Sequence, residues 1–289
     1  MHADGRINLD VIEKQAKVFI EAGLRGVFVC GTTGEGYSLT LSERMEIAGR
    51  WRAFAQDDFV VIVNVSCLCL EDCKALAAHA QKTGVYAIAV MAPCFFKPAS
   101  AEDLASFCAE VASQAPDLPF YYYHLPSFTG VNIRASDFLS AAANRVPTLA
   151  GMKFTHEDLM DFNRCLTLDG GRFNVLYGHE QMLLSALVLG AKGAIGSTYN
   201  FGAPLYLRIL KAYEVGDMAA ARAEQARAVE MIAVLERFGG LPAGKAIMKM
   251  IGLDCGPSRL PQRTPSSDEC DQLRVELERI GFFDYCLRF

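Results

Sequence analysis

The chain has 289 residues, a formal charge of −5, 52% hydrophobic residues and 21% charged ones. That is the composition of a soluble globular protein, long enough for one large domain or two small ones. It excludes the basic surface that nucleic-acid binding requires, and no apolar run reaches the roughly 18 residues of a membrane span.

The chain opens on a polar segment without a signal-peptide core. Residues 8–23 then carry Leu9, Ile12, Ala16, Phe19 and Ile20 at helical spacing and end at a glycine. Short apolar runs alternate with helical patterns from there on. Strands are predicted at 26–31, 60–66, 87–93, 120–126, 149–155, 174–180 and 193–200. Thr40-Leu41-Ser42-Glu43 reads as a capping box opening a helix through Arg52. Further helices are predicted at 70–83, 101–114, 133–143, 157–166 and 181–189, and beyond about residue 202 at 205–215, 218–238, 242–251 and 266–280.

Strict alternation of this kind implies a parallel sheet covered by helices. The strand runs are almost wholly apolar, as expected when both faces are buried. No strand is followed by a G-x-G-x-x-G turn, so a (β/α)8 TIM barrel fits better than an open dinucleotide-binding sheet. The expectation is one domain over 1–289, with about 202–289 forming the last barrel helix and a C-terminal helical extension. Seven strands are legible where a barrel needs eight. The count implies a first strand upstream of this sequence.

Ten cysteines occur at irregular spacing, most of them in apolar runs. That pattern suits reduced thiols and a cytoplasmic location. Cys67, Cys69 and Cys73 form the one cluster, without a C-x-x-C pair or a partner histidine, so no metal site is expected.

The residue that carries most information is Lys153, in Thr148-Leu149-Ala150-Gly151-Met152-Lys153-Phe154-Thr155. An unpaired ammonium is costly to bury, and a neutral, desolvated lysine is a nucleophile that forms a Schiff base with a carbonyl. The alternative is a lysine at a strand end whose head reaches water. Four other segments stand out. Gly31-Thr32-Thr33-Gly34-Glu35-Gly36 is either a glycine-rich turn or a cradle for a carboxylate. Phe120-Tyr121-Tyr122-Tyr123-His124-Leu125-Pro126 places Tyr123 near a C-terminal strand end, where barrel enzymes carry catalytic groups. Tyr177-Gly178-His179-Glu180-Gln181 and Gly193-Ala194-Ile195-Gly196-Ser197-Thr198-Tyr199-Asn200 offer either ligands for hydroxyl groups or a solvated loop and tight packing.

Together, in this order, these segments resemble the pyruvate-dependent class I aldolases of the N-acetylneuraminate lyase and dihydrodipicolinate synthase family, over nearly the whole chain. The resemblance implies a (β/α)8 barrel, usually a homotetramer, with a small sugar acid and pyruvate as its partners and no nucleic acid or membrane. It implies Lys153 as the Schiff-base lysine, Tyr123 as the proton shuttle with Thr33 beside it, and Thr32 and Thr33 as donors to the pyruvyl carboxylate. Thr155, Gly178, Glu180, Gln181 and Ser197 match substrate-contacting positions. No cofactor is implied beyond the covalent imine on Lys153.

Within the family, the dihydrodipicolinate branch places an arginine two residues after the proline, where this chain has Phe128. It also has an interface tyrosine where this chain has Phe95 and Phe96. Tyr121-Tyr122-Tyr123-His124-Leu125-Pro126 and Gly256-Pro257-Ser258-Arg259-Leu260-Pro261 are similar to the sialate branch instead. The expected reaction is reversible cleavage of N-acetylneuraminate to pyruvate and N-acetylmannosamine. Glu180 and Gln181 stand where that branch has an Asp-Glu pair, which keeps a second reading open, an aldolase or dehydratase for another 2-keto-3-deoxy sugar acid. A dihydrodipicolinate synthase is the weaker form of that alternative. A third, prompted by the strand count, is a truncated, non-catalytic homologue.

Overall fold

The computed structural model describes residues 1–289. The elements run α1 (Asp10–Glu21), β1 (Gly26–Val29), α2 (Leu41–Arg52), β2 (Val60–Asn64), α3 (Leu70–Thr83), β3 (Ala87–Met91), α4 (Ala101–Ala112), β4 (Phe120–His124), α5 (Pro126–Thr129), α6 (Ala135–Ala142), β5 (Leu149–Phe154) and α7 (Leu159–Thr167). They continue with β6 (Asn174–Tyr177), α8 (Leu183–Leu189), α9 (Tyr199–Glu214), α10 (Met218–Arg237), α11 (Leu241–Met250) and α12 (Ser267–Arg279). The fold is α/β. Two compact units emerge, one of Met1–Arg25, Glu180–Leu184 and Ser197–Phe289, the other of Gly26–His179 and Ser185–Gly196.

The second unit holds a six-stranded sheet in the order β1 to β6, every neighbouring pair parallel. Parallel neighbours require crossovers, and helices supply them. Because side chains alternate along a strand, one face collects Ile62, Ala87, Ala89 and Tyr121, with Phe28, Leu176 and Ile195 packed against them. The two alanines of β3 leave the volume that the Tyr121 ring fills, small beside large at close-packed density.

Helix α2 starts where expected. Thr40 Oγ1 accepts from the Glu43 N–H while the Glu43 carboxylate accepts from the Thr40 N–H, so both halves of the capping box form. Helix α3 also has its expected limits, stopped by Gly84 at φ 69°. The first unit holds α1 and the C-terminal helices. There Gly202 of α9 faces Met231 of α10 so closely that an added Cβ would lie 3.1 Å from its methyl carbon. A second capping box, Ser266 with Glu269, opens α12.

One strand expectation fails. Residues 193–200 form a single parallel bridge, Tyr177 to Ala194, with the Tyr177 N–H donating to Gly193 O and the Ile195 N–H to Tyr177 O. Gly193 and Gly196 weaken a strand here because they lose the most chain entropy and pack nothing. Tyr199 and Asn200 already belong to α9, which was expected to start only at residue 205. Pro204 reads as a first-turn residue by its usual preference, yet it lies inside the helix. The sheet begins at Gly26 and offers no test of a strand upstream.

Candidate active site

Lys153 lies on β5, level with Tyr123 of β4 and Leu176 of β6. It is 9% exposed. Its Nζ sits 4.2 Å from the centre of the Tyr123 ring and 4.7 Å from that of Phe28. Those two rings meet edge to face at 5.2 Å. No carboxylate pairs with this lysine, so its head rests on aromatic faces and remains available to a carbonyl carbon.

Tyr123 is 3% exposed, and its hydroxyl shares a 3.2 Å hydrogen bond with Thr32 Oγ1. The partner is Thr32; Thr33, expected beside the tyrosine, is an exposed residue of the same loop. That loop is a tight one. The Gly36 N–H donates to Gly31 O and the Glu35 N–H to Thr32 O, while Glu35 and Cys30 both take left-handed backbone angles. A Cβ on Gly36 would lie 2.0 Å from Cys30 O, so no other residue fits without moving the backbone. No acceptor in the chain takes the N–H groups of Thr32, Thr33 or Gly34. Three such donors beside two hydroxyls suit a carboxylate.

The ends of β5 and β6 meet through Thr155 and Gly178. The Gly178 N–H donates to Phe154 O at 2.7 Å and the Thr155 N–H to His124 O at 2.9 Å. Thr155 Oγ1 is buried without a hydrogen-bond partner, and a Cβ on Gly178 would stand 2.0 Å from it. A buried, unpaired hydroxyl is costly, and one at a strand end is a group that a ligand can satisfy. Behind this site, His124 is 3% exposed and packs among Tyr122, Phe154 and His156. Burial, then the charge of His156, hold its pKa down at about 4. Burial also pushes Tyr177 up to about 12 and raises Tyr121, whose hydroxyl accepts from Asn174 Nδ2.

In the first unit, Glu180 is 6% exposed, and its Oε1 accepts from Ser197 Oγ at 2.8 Å, the Thr198 N–H at 2.8 Å and Thr198 Oγ1 at 3.2 Å. Thr198 Oγ1 bonds in turn to the Tyr206 hydroxyl at 2.6 Å. Burial and the Glu180 charge raise that phenol's pKa. Gln181 is held by its backbone, since Gln225 Nε2 donates to the carbonyls of Glu180 and Gln181. Glu180 and Ser197 are thus brought together as bonded partners, and the Gln181 side chain joins neither. Within the second unit, Lys153, Tyr123 and Thr32 are brought together, with Thr155 and Gly178 as a neighbouring pair. His179 Nδ1 is buried without a partner.

Sequence reasoning missed Phe28, Thr198 and Tyr206. Phe28 carried a signal in the two-residue period, which puts it on the same strand face as Gly26. Nothing local marks the other two.

The pattern of the dihydrodipicolinate synthetase family matches residues 1–280. The chain belongs to this family. Among its relatives, the N-acetylneuraminate lyase of Rattus norvegicus is 40% identical over 290 residues, covering 99% of this chain and 91% of that protein. Two solved structures are also similar. The N-acetylneuraminate lyase of Proteus mirabilis matches with a TM-score of 0.94 at 36% identity, over 98% of this chain and 95% of that one. The N-acetylneuraminate lyase (sialic acid aldolase) of Aliivibrio salmonicida matches with a TM-score of 0.94 at 38% identity, over 98% and 94%.

Proposed function

We propose that this chain is a Schiff-base carbon–carbon lyase that cleaves N-acetylneuraminate reversibly to pyruvate and N-acetylmannosamine. The observation that carries the reading is Lys153, buried without a carboxylate and seated over the Tyr123 ring, in a chain 40% identical to an N-acetylneuraminate lyase.

The chemistry follows from the groups present. The sugar acid's carboxylate takes the free N–H groups and hydroxyls of Thr32 and Thr33. Lys153 Nζ attacks the C2 ketone of the open chain, and as Tyr123 gives its proton to the departing oxygen, loss of water leaves a protonated imine. Tyr123, now a phenolate tied to Thr32, removes the C4 hydroxyl proton. The C3–C4 bond then breaks, its electrons pass into the imine as an enamine, and N-acetylmannosamine leaves. Protonation at C3 and hydrolysis free pyruvate and Lys153. The imine is itself the electron sink, so no metal or dissociable cofactor is called for. The resemblance matches Thr155 and Gly178 of the second unit, and Glu180, Gln181 and Ser197 of the first, to substrate-contacting positions. Glu180 Oε1 is committed to Ser197 and Thr198, which leaves Oε2 to accept from a sugar hydroxyl.

The consecutive parallel order of β1 to β6 supports the barrel expectation. Phe95 and Phe96, 74% and 85% exposed and packed on each other, support a subunit interface; the homotetramer is what the family resemblance implies. Ten free cysteines support a cytoplasmic setting, and no helix is long and apolar enough to cross a membrane.

The test is imine trapping. Pyruvate and borohydride should add mass at Lys153 and at no other lysine. Lys153→Ala should lose both the label and turnover, and appreciable residual cleavage would refute the assignment. The second reading, another 2-keto-3-deoxy sugar acid, rests on Glu180 and Gln181 replacing an Asp-Glu pair. A substrate panel separates the two.

A further inference from the structure

Arg44 of α2 is a buried arginine, 3% exposed, that no carboxylate neutralises. Its Nη2 donates to Asn64 O at 2.6 Å and its Nη1 to Ser66 O at 2.8 Å. Those carbonyls orient the guanidinium but carry no charge. The same Nη1 also donates to Cys67 Sγ at 3.1 Å. A second thiol lies against the first. The Cys67 N–H donates to Cys73 Sγ at 3.0 Å, and Cys73 Sγ donates to Cys67 O at 3.5 Å. Cys73 is fully buried in the first turn of α3, whereas Cys67 is half-buried, next to the exposed Leu68 and Cys69.

From this arrangement we infer that Cys67 and Cys73 are a modification site: a hydroperoxide oxidises Cys67, whose sulfur rests on the Arg44 guanidinium, and Cys73 resolves it as a disulfide. The pairing is an anion position built from a buried cation with no other counter-charge, and its sulfur is the one of the two that a small oxidant can reach. The titration of the pair agrees. The hydrogen bond from Cys73, with the charge of Arg44 in support, brings the Cys67 thiol down to about 7 against the opposing effects of burial and of the Asp72 charge. The same hydrogen bond, with burial, raises Cys73.

The steps balance. The Cys67 thiolate attacks the distal oxygen of the hydroperoxide, an S–O bond forms, and the O–O bond breaks. Sulfur is oxidised by two electrons to the sulfenic acid, and the departing alkoxide or hydroxide takes a proton from water. Cys67 no longer bears charge, so the main cause of the raised Cys73 pKa is gone. Cys73 sulfur then attacks Cys67 sulfur, the S–S bond forms, and the S–O bond breaks. The hydroxide leaves with the Cys73 proton as water. The sum is two thiols and one hydroperoxide to a disulfide, an alcohol or water, and a water. The site is separate from Lys153 chemistry and does not depend on it.

The test uses the full chain, reduced, then treated with limiting hydrogen peroxide at pH 7. Remaining thiols are blocked with N-ethylmaleimide and bonds are located by tandem mass spectrometry. At that pH a thiol of pKa about 7 is half ionised, against a few per cent for an ordinary cysteine, so Cys67 should react about tenfold faster than the other thiols. The expected product is a Cys67–Cys73 disulfide that dithiothreitol reverses. Cys69→Ser should still form it, and Cys73→Ser should stop at a sulfenic acid on Cys67 that dimedone traps. First oxidation at Cys69, a disulfide that includes Cys69, or a Cys73→Ser protein whose Cys67 ignores dimedone would each overturn the inference.

Discussion

Tyr123 is the residue whose role turns on a single contact. Its hydroxyl has Thr32 Oγ1 as its hydrogen-bond partner at 3.2 Å. Tyr123→Phe removes the proton carrier but leaves the ring under Lys153, so imine trapping with pyruvate should survive while cleavage falls by roughly a hundredfold or more. Normal turnover in this variant would show that another group moves the proton. Thr32→Val keeps the shape of the loop side chain and deletes the hydroxyl, and should reduce kcat with smaller loss of trapping. Glu180 and Gln181 can be argued at the same scale. Glu180 exceeds an aspartate by one methylene, and that length lets Oε1 reach Ser197, the Thr198 N–H and Thr198 Oγ1 together. Restoring the shorter acid and the charge with the pair Glu180→Asp and Gln181→Glu should change KM across a panel of sugar acids more than kcat. An unchanged panel would remove both residues from substrate recognition.

At the scale of elements, the parts that could be read in advance were those governed by local chemistry. Thr40 and Glu43 fix the start of α2 because a capping box needs only four consecutive residues. The glycine after Thr83 fixes the end of α3 because a left-handed residue ends a helix cheaply. The strand ends that hold Thr32, Tyr123 and Lys153 were marked by glycines and aromatics in apolar runs. Residues 193–200 were misread because their fate depends on distant partners. The Thr198 N–H leaves for the Glu180 carboxylate, and the helix starts there. Phe28 was passed over for the same reason, since its contact with Lys153 joins residues far apart in the chain. The junction of β5 and β6 gives the prediction for this scale. Gly178→Ala would place a Cβ 2.0 Å from Thr155 Oγ1, and 3.1 Å from Phe154 O, with backbone on one side to resist it. The variant should fold with a loss of about 1–3 kcal/mol, read from urea midpoints. Its imine trapping should fall as Phe154 and the adjoining Lys153 shift. A variant as stable and as reactive as the parent would show that Thr155 can turn away freely.

For the whole molecule the question is how stability responds to acid, and His124 is the buried group that bears on it between pH 6.5 and about 4. The ring is buried among Tyr122, Phe154 and His156, and its Nδ1 has no partner. Its pKa falls from 6.5 to about 4 on folding, first through burial and then through His156, with the carboxylates of Asp158 and Asp161 acting in the opposite direction. Below about pH 6.5 the unfolded chain binds a proton that the folded chain refuses until about pH 4. The unfolded state therefore binds more protons across that window, and stability falls as pH falls through it. The contribution is fully present above the unfolded pKa and gone at the folded one. At 1.36 kcal/mol per unit the depression amounts to roughly 3 kcal/mol, a large share of the 5–15 kcal/mol that roughly bounds a native protein's stability. His124→Phe replaces the ring by one of similar shape with nothing to protonate. It should leave stability near pH 7 little changed and flatten the decline between pH 6.5 and 4. Urea unfolding of both proteins at several pH values checks this. An equally steep decline in His124→Phe would move the acid sensitivity elsewhere in the chain.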